Sequence, residues 1–373
     1  RHDLDVIRRP ARADHISGHA VWVNSAALRA ANVTRDTKSP PGGTIVRDAL
    51  GRPTGILTDD AMALMMAFAD SGAVEVLGLT TIYGNVPTER AAQNALALCE
   101  LAGRGGEVPV AVGARGSSRG ALKERIADFV HGADGFGNSD HPPPRGEPIA
   151  QSAAQFICEQ AARHPGEVVL LMLGACTNLA LALQWDPSLA QKLKRVVILG
   201  GAFNVNGNVN PAAEANIFGD PEAADYVLNS GANVDLVPLD ATHLCVFSAE
   251  QRECLLGSPH PWGGWLHRIT DFYLGYHRRA YDLDGFYLHD PAAYTAAIRP
   301  ELFSWRSGAV RVCCDDGSIM RAKTMLDMGV KEWMGENPWT GRPKVRVALS
   351  CDGQAVSDYV HECLCGAPGS SRR

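Results

Sequence analysis

From residue 59 onward, stretches of helical periodicity alternate with short apolar runs of strand length, and this order constrains the fold more than any other feature of the chain. Such alternation requires a mostly parallel sheet with helices on both faces, because parallel neighbours can be joined only by crossover connections. The pattern predicts a helix over 59–69, opened by two acids where the helix dipole favours them, and a strand over 74–83 closed by the turn at Gly84 and Asn85. A helix over 87–101 follows, with proline at its start, and then a short strand over 108–112. A Gly- and Pro-rich loop at 132–148 leads to a helix over 149–162, a strand over 167–173 and a helix over 177–183. Residues 195–199 read as a strand, 200–219 as an Asn-rich loop, 221–228 as a helix and 234–238 as a strand. Beyond Pro261 come a helical segment to Tyr281, an H-D-P turn at 289–291, and strands near 309–313 and 344–348. The expected fold class is therefore α/β: a three-layer, open, mostly parallel, Rossmann-like sheet with an added N-terminal segment.

Composition narrows the function classes. Thirty-five Lys and Arg against 41 Asp and Glu leave a net charge of −6, which repels a phosphate backbone, so no nucleic acid partner is expected. The most apolar run, 168–183, is interrupted by Gly174, Thr177 and Asn178 and reads as a strand and a helix rather than a membrane span. No membrane partner is expected either. The first residues lack the apolar core of a secretory signal, and the ten cysteines contain no C-x-x-C pair. They read as small buried hydrophobes of a reducing compartment, and the expected location is cytoplasmic.

In open α/β sheets ligands bind beyond the carboxyl ends of the strands, and there the chain concentrates oxygen-bearing side chains. Asp59 and Asp60 open a helix, Asn85 follows a strand, Asn208, Glu214 and Asn216 lie in the long loop, and His289 and Asp290 precede Pro291. A set of carboxylates and amides suits a hard cation such as Ca²⁺ better than zinc. Each residue alone has an ordinary structural explanation, as a helix cap, a turn or a satisfied histidine; their joint occurrence carries the information.

The joint pattern resembles the inosine-uridine preferring nucleoside hydrolase family over about residues 58–365. T-D-D-A-M-A-L at 58–64 is similar to the end of that family's D-x-D-x-G-x-D-D-A-x-A-L signature, and T-T-I-Y-G-N at 80–85 to its second block. H-G-A-D-G-F-G at 131–137, L-G-A-C-T-N-L-A at 173–180, the block from Leu199 to Ala224, V-P-L-D-A-T at 237–242 and H-D-P-A-A at 289–293 continue the resemblance in order. It implies the nucleoside hydrolase fold and hydrolysis of the N-glycosidic bond of a ribonucleoside, a small-molecule substrate, through an oxocarbenium-like sugar. It implies a single Ca²⁺ held by the side chains of Asp60 and Asp290 and by the backbone carbonyl of Leu173. It implies ribose contacts from Asp59, Asn85 and Asn216, a 5′-hydroxyl held by Asn208 and Glu214, His289 as acid for the departing base, and His131 against the base. A homodimer or homotetramer is the assembly the family implies.

The chain departs from the signature at two positions. Gly55 and Pro53 stand where the motif has aspartates, and the first of these replaces the family's calcium ligand and water-activating base. Asp48, eleven residues before Asp59, is the nearest upstream acid. An impaired enzyme, or a ribose- or nucleoside-binding pseudoenzyme, is the alternative this leaves open. Upstream, H-I-S-G-H-A-V-W-V-N-S-A-A-L at 15–28 and the stretch 40–57 resemble amidohydrolase-3 type metal-dependent amidohydrolases. A fragment of that barrel cannot form its metal site. The expected organisation is thus an amidohydrolase-like fragment over 1–57, with a short helix near 24–31, a hairpin over 44–57 and T-G-I-L at 54–57 as a substitute first strand, ahead of a nucleoside hydrolase domain over 58–373.

Overall fold

The computed structural model describes residues 12–14, 21–23, 58–70, 72–120, 128–131, 135–139 and 141–366. The chain divides into two units, Arg1–Thr54 and Gly55–Arg373. In the first, β1 (Arg12–Asp14) pairs antiparallel with β2 (Val21–Val23). The expected helix near 24–31, the hairpin over 44–57, the T-G-I-L strand, Asp48, Pro53 and Gly55 lie outside the described residues.

The second unit opens with α1 (Thr58–Ala69), followed by β3 (Leu79–Thr80), α2 (Thr88–Leu101) and β4 (Val110–Ala111). Then come α3 (Ala153–Arg163), β5 (Val169–Met172), α4 (Thr177–Trp185), β6 (Arg195–Leu199), α5 (Pro221–Leu228) and β7 (Val234–Val237). A small antiparallel pair, β8 (Val246–Ser248) and β9 (Gly285–Tyr287), flanks the long helix α6 (Gly263–Tyr281). The chain continues through α7 (His289–Ile298), β10 (Phe303–Val312), β11 (Thr324–Asp327), β12 (Val345–Cys351) and α8 (Gly353–Cys365).

The main sheet has the order β11-β10-β12-β7-β6-β5, parallel from β12 to β5 and antiparallel at β10 and β11. Of its central strands β6 is a nearly continuous apolar run, as befits a strand covered on both faces, while β7 and β12 each carry one charged residue, Asp235 and Arg346, which pair with each other. Val197 and Leu199 of β6 enter one hydrophobic cluster with α1, α6 and α7, while Val196 and Ile198 enter a second with α4 and α5. This strict alternation places the two clusters on opposite faces of the sheet. Helix α1 lies deep in the first cluster, with Ala61, Met62, Met65 and Met66 all fully buried. Local chemistry sets the helix starts: Ser152 and Gln155 form a capping box at α3, and Asp220 caps α5 with Pro221 at its first position.

Three expectations need correction. Among the described residues the run 74–83 forms a ladder only at Leu79 and Thr80, where β3 pairs with β4 and the Leu79 N–H and Thr81 N–H donate to the carbonyls of Pro109 and Ala111. H-D-P at 289–291 is not a turn but the first turn of α7. Proline is tolerated there because the first N–H groups of a helix have no intrahelical acceptor. Cys254 and Cys365 are not reduced thiols but form a disulfide with Cα atoms 5.9 Å apart, since the 3₁₀ turn at Cys254 packs on the last turn of α8; Cys363, next but one, stays free. No helix among the described residues is long and apolar enough to cross a membrane.

Candidate active site

Two helix starts build the centre of the site. Asp59 and Asp60 occupy the first turn of α1, Asp290 the first turn of α7, and the packing of these helices brings one carboxylate oxygen from each within 4.8 Å of the other two. Like charges this close and this buried oppose ionisation. Burial pushes Asp59 up to about 6. Burial and the charge of Asp59 push Asp60 up to about 8, and Asp290 is held well above the usual carboxylate range by burial and by both neighbours. The Asp60 and Asp290 carboxyls face each other closely enough that their ionisations are linked. One oxygen of Asp59 and one of Asp60 are buried with no hydrogen-bond partner. Buried carboxylate oxygens without donors are costly unless a cation meets them. The three acids therefore fit a hard divalent ion, which would offset their mutual repulsion.

The strand ends contribute amides and carbonyls. Asn216 Nδ2 donates to the carbonyls of Leu173, just beyond β5, at 3.0 Å and of Leu199, the end of β6, at 3.1 Å. Leu173, Asn216, Asn85 and Asp60 all line one cavity of about 890 Å³. Glu214 is buried in the loop after β6, where its carboxylate accepts the N–H groups of Gly201 (3.1 Å), Asn216 (2.8 Å) and Ile217 (3.0 Å). Asn208 is exposed, and its Oδ1 accepts the Ala215 N–H at 2.9 Å. Both residues brace the loop that carries Asn216, and neither lines the cavity bordered by Asp60.

The histidines flank the acids. His131 is buried, its Nδ1 accepts the Thr58 N–H at 3.3 Å, lies 4.0 Å from Asp59 Oδ1, and its ring stacks on Tyr273. His289 shares a 2.8 Å hydrogen bond between Nδ1 and Thr242 Oγ1, and burial together with the neighbouring His243 and His277 holds its pKa well below the ordinary imidazole value. It is a neutral ring at pH 7.

Several site residues escaped the sequence reading. The Tyr273 hydroxyl donates to Asp59 Oδ2 at 3.2 Å, and His277 and Tyr281 extend from it along α6, with ring centroids 4.4 and 5.2 Å apart in succession. Their i, i+4, i+8 spacing on a helix was the available signal. His243 packs on Tyr287 and near His289, and its Nε2 is buried without a partner. Asp240, in the quoted V-P-L-D-A-T block, accepts the Phe203 and Asn204 N–H groups at 2.8 Å each and holds the start of the long loop.

The comparisons agree with this geometry. The model of the family described as inosine-uridine preferring nucleoside hydrolase matches residues 54–358, and that of the amidohydrolase family matches 1–104, beyond the 57 residues expected for that fragment. A probable uridine nucleosidase 2 of Arabidopsis thaliana is 47% identical over 306 residues, covering 82% of this chain and 94% of that protein. A pyrimidine-specific ribonucleoside hydrolase, RihA, of Shewanella baltica is 38% identical over 66% of this chain and 76% of its own length. Among solved structures, the plant nucleoside hydrolase PpNRh1 superposes with a TM-score of 0.80 at 44% identity, covering 84% of this chain and all of that one. The purine-preferring ribonucleoside hydrolase of Gardnerella vaginalis does so with a TM-score of 0.76 at 30% identity, covering 84% and 96%. Fold, acid cluster and family match converge: the chain belongs to the inosine-uridine preferring nucleoside hydrolases, enzymes that cleave N-glycosyl bonds.

Proposed function

We propose that the protein hydrolyses pyrimidine ribonucleosides of the uridine type to ribose and free base, with Ca²⁺ held by Asp60 and Asp290 and completed by the Leu173 carbonyl. The observation that carries this reading is the convergence of three carboxylates, Asp59 and Asp290 buried and Asp60 partly so, with one buried oxygen of Asp59 and one of Asp60 lacking a hydrogen-bond partner. The names of the similar uridine nucleosidases and pyrimidine-specific hydrolase support the substrate class. Bound there, calcium supplies positive charge that binds sugar hydroxyls and acidifies water. Asp59, anchored by Tyr273, accepts from the ribose hydroxyls, and the Asn85 and Asn216 amides hold the neighbouring groups. In the tautomer where Thr242 donates to Nδ1 of His289, the proton is on Nε2, and there a neutral imidazole donates to the departing base. His131 stacked on Tyr273 presents a flat surface for the base.

Gly55 and Pro53 favour a second reading, a nucleoside-binding protein with weak turnover, because a positioned general base is worth roughly 10² to 10⁴ in rate. Uridine and inosine assayed for released ribose, with added Ca²⁺ or with EDTA, separate the two. Calcium-dependent release supports the enzyme, and saturable uridine binding without release supports the binder. Neither binding nor release refutes both. Gly55→Asp raises turnover if the missing carboxylate alone limits the rate.

A further inference from the structure

A second set of metal-ligating side chains lies outside the acid cluster, where the last helix meets the turn ahead of α6. One ligand atom each of Cys254, His361 and Cys365 lies within 4.8 Å of the other two. His361 and Cys365 stand four residues apart on α8 and so share one face of that helix, while Cys254 opens the 3₁₀ turn Cys254–Gly257 packed against it. The helix sorts its cysteines by face: Cys363 is buried in the hydrophobic cluster that contains α1, whereas Cys254, His361 and Cys365 are half-buried and within reach of solvent. Cys254 and Cys365 are joined as a disulfide. The turn and the helix do not depend on that bond alone, because Ser258 Oγ donates to the Leu364 carbonyl at 2.6 Å and Leu255 and Leu364 are both fully buried in the same cluster. The three residues therefore stay assembled when the disulfide opens.

Donor chemistry selects the ion. Two thiolates and an imidazole suit zinc, just as the carboxylates around Asp290 suit calcium. Tetrahedral bonds of about 2.3 Å to sulfur and about 2.0 Å to nitrogen set ligand atoms roughly 3.5 to 3.8 Å apart. Thiolates on Cα atoms 5.9 Å apart reach that spacing by turning about their own side-chain bonds. We propose that Cys254, His361 and Cys365 form a redox-gated zinc site, with water as the fourth ligand. A dithiol reductant opens the disulfide: two electrons and two protons pass to Cys254 and Cys365, and the reductant leaves as its own disulfide. Zn²⁺ then binds both sulfurs and His361, and the two thiol protons are released. The ion thus replaces the covalent link under reducing conditions and keeps the end of α8 tied to the turn ahead of α6, the helix that carries Tyr273.

The test uses the full chain, reduced with a phosphine and titrated with Co²⁺, whose thiolate charge-transfer absorption reports sulfur ligands. The oxygens of Asp59, Asp60 and Asp290 give no such band, so the result is independent of the calcium site and of catalysis. The expected result is a band that saturates at a single ion per chain, together with the visible absorption of tetrahedral cobalt, both displaced by Zn²⁺. His361→Ala is expected to weaken Co²⁺ binding at least tenfold and Cys365→Ser to abolish the band, and protein with the disulfide intact is expected to show none. His361 is half-buried on the helix surface, so His361→Ala decides the matter where Cys365→Ser fails to fold. Absence of the band in the reduced protein overturns the proposal. So does a band unchanged by both substitutions, which places the ion on other cysteines, or an equal band with the disulfide intact.

Discussion

Replacing Asp60 with asparagine keeps the side-chain shape and removes one of three crowded charges, so it affects the ion-free and ion-bound protein in opposite directions. Two unit charges 4.8 Å apart repel by about 3 to 4 kcal/mol at an effective dielectric constant near 20. The ion-free protein answers by retaining protons, which is why Asp60 is pushed from 3.8 up to about 8. A carboxyl whose folded pKa lies above its unfolded value contributes its full stability below 3.8 and loses it as the pH rises toward 8. At pH 8 in EDTA, Asp60→Asn is therefore expected to be more stable than the parent by about 2 to 3 kcal/mol, or roughly 5 °C in Tm for a domain of this size. Calcium at a hundred times its Kd stabilises the parent by about 2.7 kcal/mol, also roughly 5 °C, and the variant by much less. Thermal melts of both proteins at pH 6 and pH 8, in EDTA and in calcium chloride, read all of these differences. An equal calcium shift in the two proteins would refute the assignment of Asp60 to the ion. A variant less stable than the parent in EDTA at pH 8 would refute the electrostatic reasoning.

Three further outcomes follow from side chains around that centre. His277 is 1% exposed, and burial lowers its pKa from 6.5 to about 4. Because the unfolded chain takes up this proton first, the protein loses up to about 3 kcal/mol between pH 6.5 and pH 4, and urea titrations of His277→Phe are expected to show a correspondingly shallower fall. Glu214→Ala strips the acceptor from the N–H groups of Gly201, Asn216 and Ile217, so a loss of at least about 2 kcal/mol in urea is expected, with Glu214→Gln recovering part of it; an unchanged midpoint would remove Glu214 from its bracing role. Asp235 on β7 is fully buried and takes two hydrogen bonds from Arg346, at 2.7 and 2.5 Å, and one from Arg195 at 3.4 Å. Asp235→Ala strands those guanidinium groups and is expected to cost about 3 kcal/mol with little change in KM, which denaturant curves and steady-state kinetics check separately.

Where a segment's structure depends on its own residues, the sequence was a sufficient guide. The α5 boundaries were legible because Asp220 and Pro221 form a start signal that acts within one turn, and β6 because its apolar run is short and bounded. The acids at 59, 60 and 290 stood out as candidates from the order of the motifs, and the packing of α1 on α7 decided how closely they approach. Other features depend on distant partners. The run 74–83 has all the residues of a strand, yet only two of them form a ladder, since a strand exists only where a neighbouring backbone meets it. The hydrogen bonds by which Glu214 and Asn208 hold backbone N–H groups of the loop 200–217 became visible only once that loop had folded back on itself. Tyr273 gave no sign of its contact with Asp59, 214 residues away, nor Cys254 of its bond with Cys365. Local periodicity and capping act over one or two turns and are written in the sequence; which carboxylates converge, and which apolar runs find a neighbouring strand, are set by contacts across the whole domain and emerge only when it packs.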